Sequence, residues 1–91
     1  MAKALFPMGS LYITPGALAA CASFPMAPTI LLIRHATGDW SEMDAEDQES
    51  NHRAIRVGAR ILSLYRYDTT QFYVITQADG ASTTILLRDE Y

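Results

Sequence analysis

The spacing of apolar residues changes near Gly58, and the change divides the chain into a helical part and a sheet part. Beyond Gly58, residues 61–67 and 72–76 are predicted to be strands because they are rich in β-branched and aromatic residues. Residues 83–87 are the returning strand, after the strong turn dipeptide Asp79-Gly80. The pattern therefore predicts an antiparallel meander of three strands in the last third of the chain.

The first third begins with a short strand and continues into a helix. Residues 11–13 are apolar and suit a strand, and Thr14 can cap the helix that follows it. Pro15 stands at the first helical position, where proline costs no hydrogen bond. The predicted helix covers residues 16–23.

Two further helices are predicted in the middle of the chain. Pro28 can open the second, which runs toward Ala36, although residues 29–33 could also form a buried strand. Asp44 suits the cap of a third, polar helix that ends near Gly58. We therefore expect an α+β fold in which two or three N-terminal helices pack on a three- to four-stranded antiparallel meander.

Length and composition narrow the class of protein. The 91 residues, of which 49% are hydrophobic, suit a single globular domain over residues 1–91. The net charge of -3 argues against a duplex DNA binder that relies on phosphate contacts. The single cysteine, Cys21, allows no internal disulfide and fits the cytoplasm, and it is predicted to be a small buried residue.

Residues 4–33 carry no charged side chain, so we considered export and membrane insertion. Residues 18–21 match a bacterial lipoprotein cleavage box, but Lys3 alone supplies the positive region that should precede it. Prolines and glycines interrupt the apolar run that a spanning helix would need. We therefore expect a buried helix in a cytoplasmic protein, with no membrane contact.

The residues contain no recognisable catalytic or cofactor-binding motif. His35 and His52 are not at a metal-binding spacing, and the acidic stretch lacks the central glycine of a calcium loop. The five glycines form no phosphate-binding loop. We accordingly predict no catalytic residue, no metal, no cofactor and no enzymatic activity.

Charge is strongly segregated in the middle of the chain. The acidic set lies around Trp40 and consists of Asp39, Glu42, Asp44, Glu46, Asp47 and Glu49. One interpretation is a solvated helix face whose negative charges favour the helix N-terminus. The other is an electronegative surface for a basic protein partner, with Trp40 either a lid on the core or an exposed binding anchor.

An arginine set follows the acidic set and offers an alternative function. It comprises Arg53, Arg56, Arg60 and Arg66. With neighbouring tyrosines that could stack on bases, these arginines could bind nucleic acid. The aromatic residues also suit cross-strand pairs, and the nearby carboxylates would neutralise the arginines, so nucleic acid is the less favoured partner.

Several short motifs resemble a family of small uncharacterised proteins of bacterial plasmids and other mobile elements, some labelled as restriction–modification subunits. The motifs are residues 14–18, Gly38-Asp39-Trp40, Glu46-Asp47, Asn51, Gly58, residues 60–65, 74–79 and 83–87, and Glu90-Tyr91. The family has glutamate, arginine and proline where this chain has Gln77, Gly80 and Arg88.

The resemblance implies a setting in which small acidic proteins bind host defence machinery. We therefore expect an anti-defence, anti-CRISPR-type inhibitor that binds a host nuclease or surveillance complex through the acidic set. The outer strand of the meander could also pair with a second copy, which would give a homodimer.

Overall fold

The computed structural model describes residues 3–91, which form three helices and one four-stranded sheet. In chain order the elements are β1 (Ser10–Ile13), α1 (Pro15–Ser23), α2 (Pro28–Ala36), α3 (Ala45–Val57), β2 (Ile61–Tyr67), β3 (Thr70–Thr76) and β4 (Ser82–Leu87). Short 3-10 turns occupy Ala78–Gly80 and Arg88–Glu90. The fold is α+β, and the prediction of helices before a strand meander is confirmed.

The sheet has the strand order β1-β4-β3-β2, so β1 and β2 form its two edges. Strands β2, β3 and β4 are the predicted antiparallel meander. The expectation of a wholly antiparallel sheet is wrong, because β1 pairs with β4 in parallel. The apolar pattern of residues 11–13 predicts a strand, but it does not indicate which strand pairs with it or in which direction, because its partner β4 lies about 70 residues further along the chain.

Local chemistry explains where the helices begin and end. The Thr14 hydroxyl accepts a hydrogen bond from the Ala17 backbone N–H at 3.1 Å, and Pro15 is the first residue of α1, as predicted. Residues 29–33 lie in a helix and not in a buried strand. Asp44 holds the N-cap position of α3 without a capping side-chain bond, and α3 ends at Gly58, whose φ of 72° suits glycine.

The core lies between the helices and one face of the sheet. Its larger cluster joins α1 and α2 to the sheet and contains Ala17, Cys21, Leu31, Tyr65, Phe72, Val74 and Ile85. Cys21 is buried, as predicted, and burial raises the pKa of its thiol. Residues 18–21, the segment that resembles a cleavage box, therefore lie in α1, which packs on the sheet through Ala17 and Cys21.

Within residues 3–91 no single helix has the length and apolar character needed to cross a bilayer. Helices α1 and α2 meet these criteria only when taken together, and the chain bends by 105° between them.

Candidate functional site

Trp40 lies inside the protein, where it closes the second part of the core. Its side chain is 2% exposed and packs with Phe6, Ala54 and Ile61. Its indole Nε1 donates a hydrogen bond to the Ser63 hydroxyl at 2.7 Å. The interpretation of Trp40 as a lid on the core is confirmed, and the exposed-anchor alternative is wrong, because a buried indole offers no contact surface to a partner.

Trp40 begins a chain of hydrogen bonds through the core. The chain runs from Trp40 to Ser63, His35, Thr76, Thr83 and the backbone carbonyl of Met8. The two ring nitrogens of His35 lie 2.5 Å from the Ser63 hydroxyl (Nδ1) and 2.8 Å from the Thr76 hydroxyl (Nε2). The chain therefore ties α2 to three strands and to the segment before β1.

The carbonyl at its end fixes the direction of every hydrogen bond in this chain. The Thr83 hydroxyl must donate to the Met8 carbonyl, so Thr76 must donate to Thr83. Thr76 then accepts from His35, which places the ring proton on Nε2. The bare Nδ1 accepts from Ser63, so the network accommodates a neutral His35.

Burial also disfavours the charged form of this ring. His35 is fully buried, and desolvation lowers its pKa to about 4. The sequence offers His35 only as a metal or catalytic candidate. In the structure its ring links Ser63 of β2 to Thr76 of β3 inside the core. Within residues 3–91, no group of three His, Cys, Asp or Glu side chains is placed to hold a metal.

Arg34 holds two members of the acidic set in place. Its guanidinium donates hydrogen bonds to Asp39 and Glu42, each at 2.7 Å, and to the Tyr67 hydroxyl at 2.9 Å. It also lies 4.3 Å from the centre of the Tyr65 ring, within the range of a cation–π contact. Asp39 and Glu42 therefore bind this arginine and are not part of a free acidic surface.

The charges of this cluster stabilise each other. Burial opposes the charge on Arg34, but hydrogen bonds with Asp39, Glu42 and Tyr67 outweigh it and raise the pKa of Arg34. The hydrogen bond from Arg34 holds the pKa of Asp39 below its ordinary value. Both groups stay charged at neutral pH.

Two side chains cover most of the outer edge of β2. The Asn51 amide donates to the Leu62 carbonyl at 2.7 Å and accepts from the Leu62 N–H at 3.2 Å. The second carboxylate oxygen of Glu42 accepts from the Arg66 N–H at 2.9 Å. Leu64 lies between these two points, and its outward N–H and C=O meet no partner within residues 3–91.

A groove of about 410 Å³ lies beside this open position. One wall is α3 with the loop before it, which contributes Glu42, Asp44 and Asp47. The other wall contains Arg60, just before β2, together with Arg66 of β2 and Tyr73 of β3. Neither Asp44 nor Asp47 forms an ion pair with any described residue. The groove therefore combines free carboxylates, an aromatic ring and an unpaired stretch of strand edge.

The remaining acidic residues lie outside this groove. Glu46 and Glu49 line a shallow depression on α3, together with Asp47 and Arg53. Glu49 also lies 3.8 Å from Arg56, and both side chains of that pair are exposed, so the pair contributes little to stability.

The structure separates the four residues of the arginine set. Arg53 and Arg56 lie near the carboxylates of α3, whereas Arg60 and Arg66 line the groove. Arg60 also lies 5.5 Å from the centre of the Tyr91 ring, and Arg66 donates to the Glu42 carbonyl at 3.4 Å. These arginines thus lie among carboxylates and aromatic rings.

Comparison of the chain with protein-family models, curated proteins and solved structures finds no match.

Sequence reasoning missed three residues that shape this site. Asn51 and Leu64 belong to it because β2 is an edge strand, and Arg34 belongs to it because it pairs with Asp39 and Glu42. Arg34 is the first charged residue after a long uncharged run. This position in the sequence indicates a partly buried guanidinium that pairs with nearby carboxylates. The carboxylates that follow it are the partners such a half-buried guanidinium needs.

Replacing Asn51 with leucine is expected to destabilise the fold by about 1–3 kcal/mol, because two edge groups of β2 lose their only partner within residues 3–91. Leucine has the same branching and number of side-chain heavy atoms as asparagine but cannot make these two hydrogen bonds. Urea unfolding measures the loss, and amide hydrogen exchange at Leu62 should accelerate. Ser50→Ala, at the exposed neighbouring position, is the control, and unchanged exchange at Leu62 would contradict the assignment.

Proposed function

We propose that this chain is a non-catalytic interaction protein that binds an extended, basic segment of a partner protein in the groove between α3 and β2. The observation that carries the proposal is the open backbone of Leu64 on an edge otherwise covered by Asn51 and Glu42. An N–H and C=O on a strand edge bind an extended backbone, the mode by which peptides add to a sheet.

The carboxylates of the groove favour a basic side chain beside that backbone. Asp44 and Asp47 line the groove without an ion-pair partner within residues 3–91. A lysine or arginine of the bound segment would pair with them, and its aliphatic stem would lie along Tyr73 and Leu64. Arg60 and Arg66 on the opposite wall would disfavour lysine or arginine on the other face of the bound segment.

The setting implied by the sequence resemblance gives the class of partner. We propose that it is a nuclease or surveillance complex of bacterial defence, whose nucleic-acid channel is lined by basic residues. This proposal differs from the sequence expectation in the residues used. Asp44 and Asp47 replace the full acidic set, since Arg34 holds Asp39 and Glu42 and Trp40 is buried.

A pair of peptides tests the groove directly. One peptide alternates threonine with lysine over ten positions, and the other has glutamate in place of lysine. We expect the lysine peptide to shift the Leu64 amide resonance in a ¹⁵N-labelled sample, because it binds the open edge beside Asp44 and Asp47. Equal shifts from both peptides, or shifts confined to other surfaces, would contradict the proposal.

Two double variants remove the same charge from different faces of α3. Asp44→Asn/Asp47→Asn neutralises the groove, and asparagine remains a good N-cap residue at position 44. Glu46→Gln/Glu49→Gln is the matched control outside the groove. We expect the Asp44/Asp47 variant to lower the affinity for the lysine peptide at least tenfold and the Glu46/Glu49 variant to lower it less than twofold. Equal losses of affinity would refute the groove as the site.

The same variants test the partner class. Wild-type protein and both double variants serve as baits in nuclease-treated bacterial lysate. A defence nuclease retained by the wild type and by the Glu46/Glu49 control, but lost with the Asp44/Asp47 variant, is the expected result. If only DNA or RNA is recovered, from lysate that has not been treated with nuclease, the result would instead favour nucleic-acid binding by the arginine set.

A further inference from the structure

The strand at the opposite edge of the sheet is open along its length. The N–H groups of Ser10 and Thr14 donate to Ala81 and Ile85 of the β4 side, at 3.2 and 3.0 Å. Alternate residues of a strand direct their backbone groups to the same side, so the N–H and C=O of Leu11 and those of Ile13 point away from the sheet. These groups meet no partner within residues 3–91.

The side chains of this edge carry none of the usual features that prevent strand addition. Natural edge strands are protected by charged residues, prolines, bulges or short length, and β1 has only the last of these, at four residues. Residues 10–13 contain no charged residue, proline or bulge, and residues 4–33 carry no charge. Leu11 is 53% and Tyr12 59% exposed, so apolar surface accompanies the open backbone.

We propose that β1 pairs with β1 of a second copy, in antiparallel orientation around a two-fold axis. The backbone groups specify an extended strand as the occupant, and an uncharged surface brings no like charges together when it meets its own copy. The inference is independent of the proposed peptide groove. That groove lies beyond β2, at the other edge of the sheet, and stays accessible in the dimer.

The outward groups favour one register of the pairing. With Leu11 opposite Ile13 of the partner subunit, both residues of each copy pair their outward N–H and C=O groups, and each such pair exchanges two hydrogen bonds. Tyr12 then faces Tyr12 of the partner subunit at the axis, on the side of the sheet away from the helices. Ile13 packs against the core cluster, so its neighbour Tyr12 points to the opposite face.

Light scattering across a range of concentrations tests the dimer, and one proline variant tests its location. We expect the mass to rise from 10.1 kDa toward twice that value with concentration. Leu11→Pro should remain monomeric with an unchanged circular dichroism spectrum, because the Leu11 N–H makes no hydrogen bond within residues 3–91. Leu11→Ala keeps the N–H and should still dimerise.

A wild type that stays monomeric at every concentration would overturn the proposal, as would a Leu11→Pro variant that dimerises as the wild type does. Disulfide formation then tests the register. Tyr12→Cys should oxidise to a covalent dimer at least tenfold faster than Leu18→Cys, an exposed control on α1, because facing residues at this type of pair have Cα atoms close enough for a disulfide. Equal rates would refute the register.

Discussion

Replacement of Trp40 by alanine is expected to destabilise the protein by about 3–5 kcal/mol, the cost of removing a large aromatic side chain from a core. The indole is 2% exposed and packs between the start of the chain, α3 and β2, so three parts of the fold lose contact at once. Small domains are stable by only about 5–15 kcal/mol, so this loss removes much of the total. Guanidinium unfolding followed by circular dichroism measures it.

Trp40→Phe separates the packing of the ring from its hydrogen bond. Phenylalanine retains most of the apolar contact but cannot donate to Ser63, so we expect a smaller loss of about 1–2 kcal/mol. An alanine variant within 1 kcal/mol of the wild type would show that Trp40 does not close the core. Binding to the lysine peptide should persist in Trp40→Phe, because the groove does not include this residue.

The stability of the protein is expected to fall as the pH decreases from about 6.5 to about 4, because His35 is buried in its neutral form. Folding lowers the pKa of His35 from 6.5 to about 4, so the unfolded chain binds the proton more readily between these values. The contribution of the neutral ring is complete above pH 6.5 and is lost on the way to pH 4. The loss amounts to about 3 kcal/mol at 1.36 kcal/mol for each pH unit.

His35→Gln isolates this effect from the carboxylates. Glutamine cannot take up the proton, so the difference in unfolding free energy between wild type and variant should shrink as the pH falls through this range. The interaction of Asp39 with Arg34 is present in both proteins and is lost only at lower pH, below the ordinary pKa of the carboxyl group. Urea unfolding at half-unit pH steps measures the difference, and two parallel curves would contradict the assignment to His35.

Local chemistry made the helices and the meander predictable from the sequence. Thr14 and Pro15 open α1, and Gly58 ends α3, because each position requires a backbone geometry or a cap that few residues supply. The Asp79-Gly80 turn is equally local, since both residues take a positive φ between β3 and β4. Such signals lie within a few residues of the feature that they determine.

The candidate site was less predictable because it depends on contacts between distant residues. The carboxylates were visible in the sequence, but whether each is free or paired is decided by the position of Arg34. The open backbone of Leu64 follows from the placement of β2 at an edge, which a strand pattern does not reveal. The burial of Trp40 likewise depends on distant residues, since Phe6, Ala54 and Ile61 pack around its ring.

The pairing of β1 with β4 also determines when the four-stranded sheet can be completed during synthesis. Ser10 lies opposite Ser82, so the first of the four described strands to be translated pairs with the last of them. Closing so long a loop is slow compared with forming the local hairpins of the meander. During synthesis, the edge of β1 that faces β4 therefore stays unpaired until residues 82–87 have been translated.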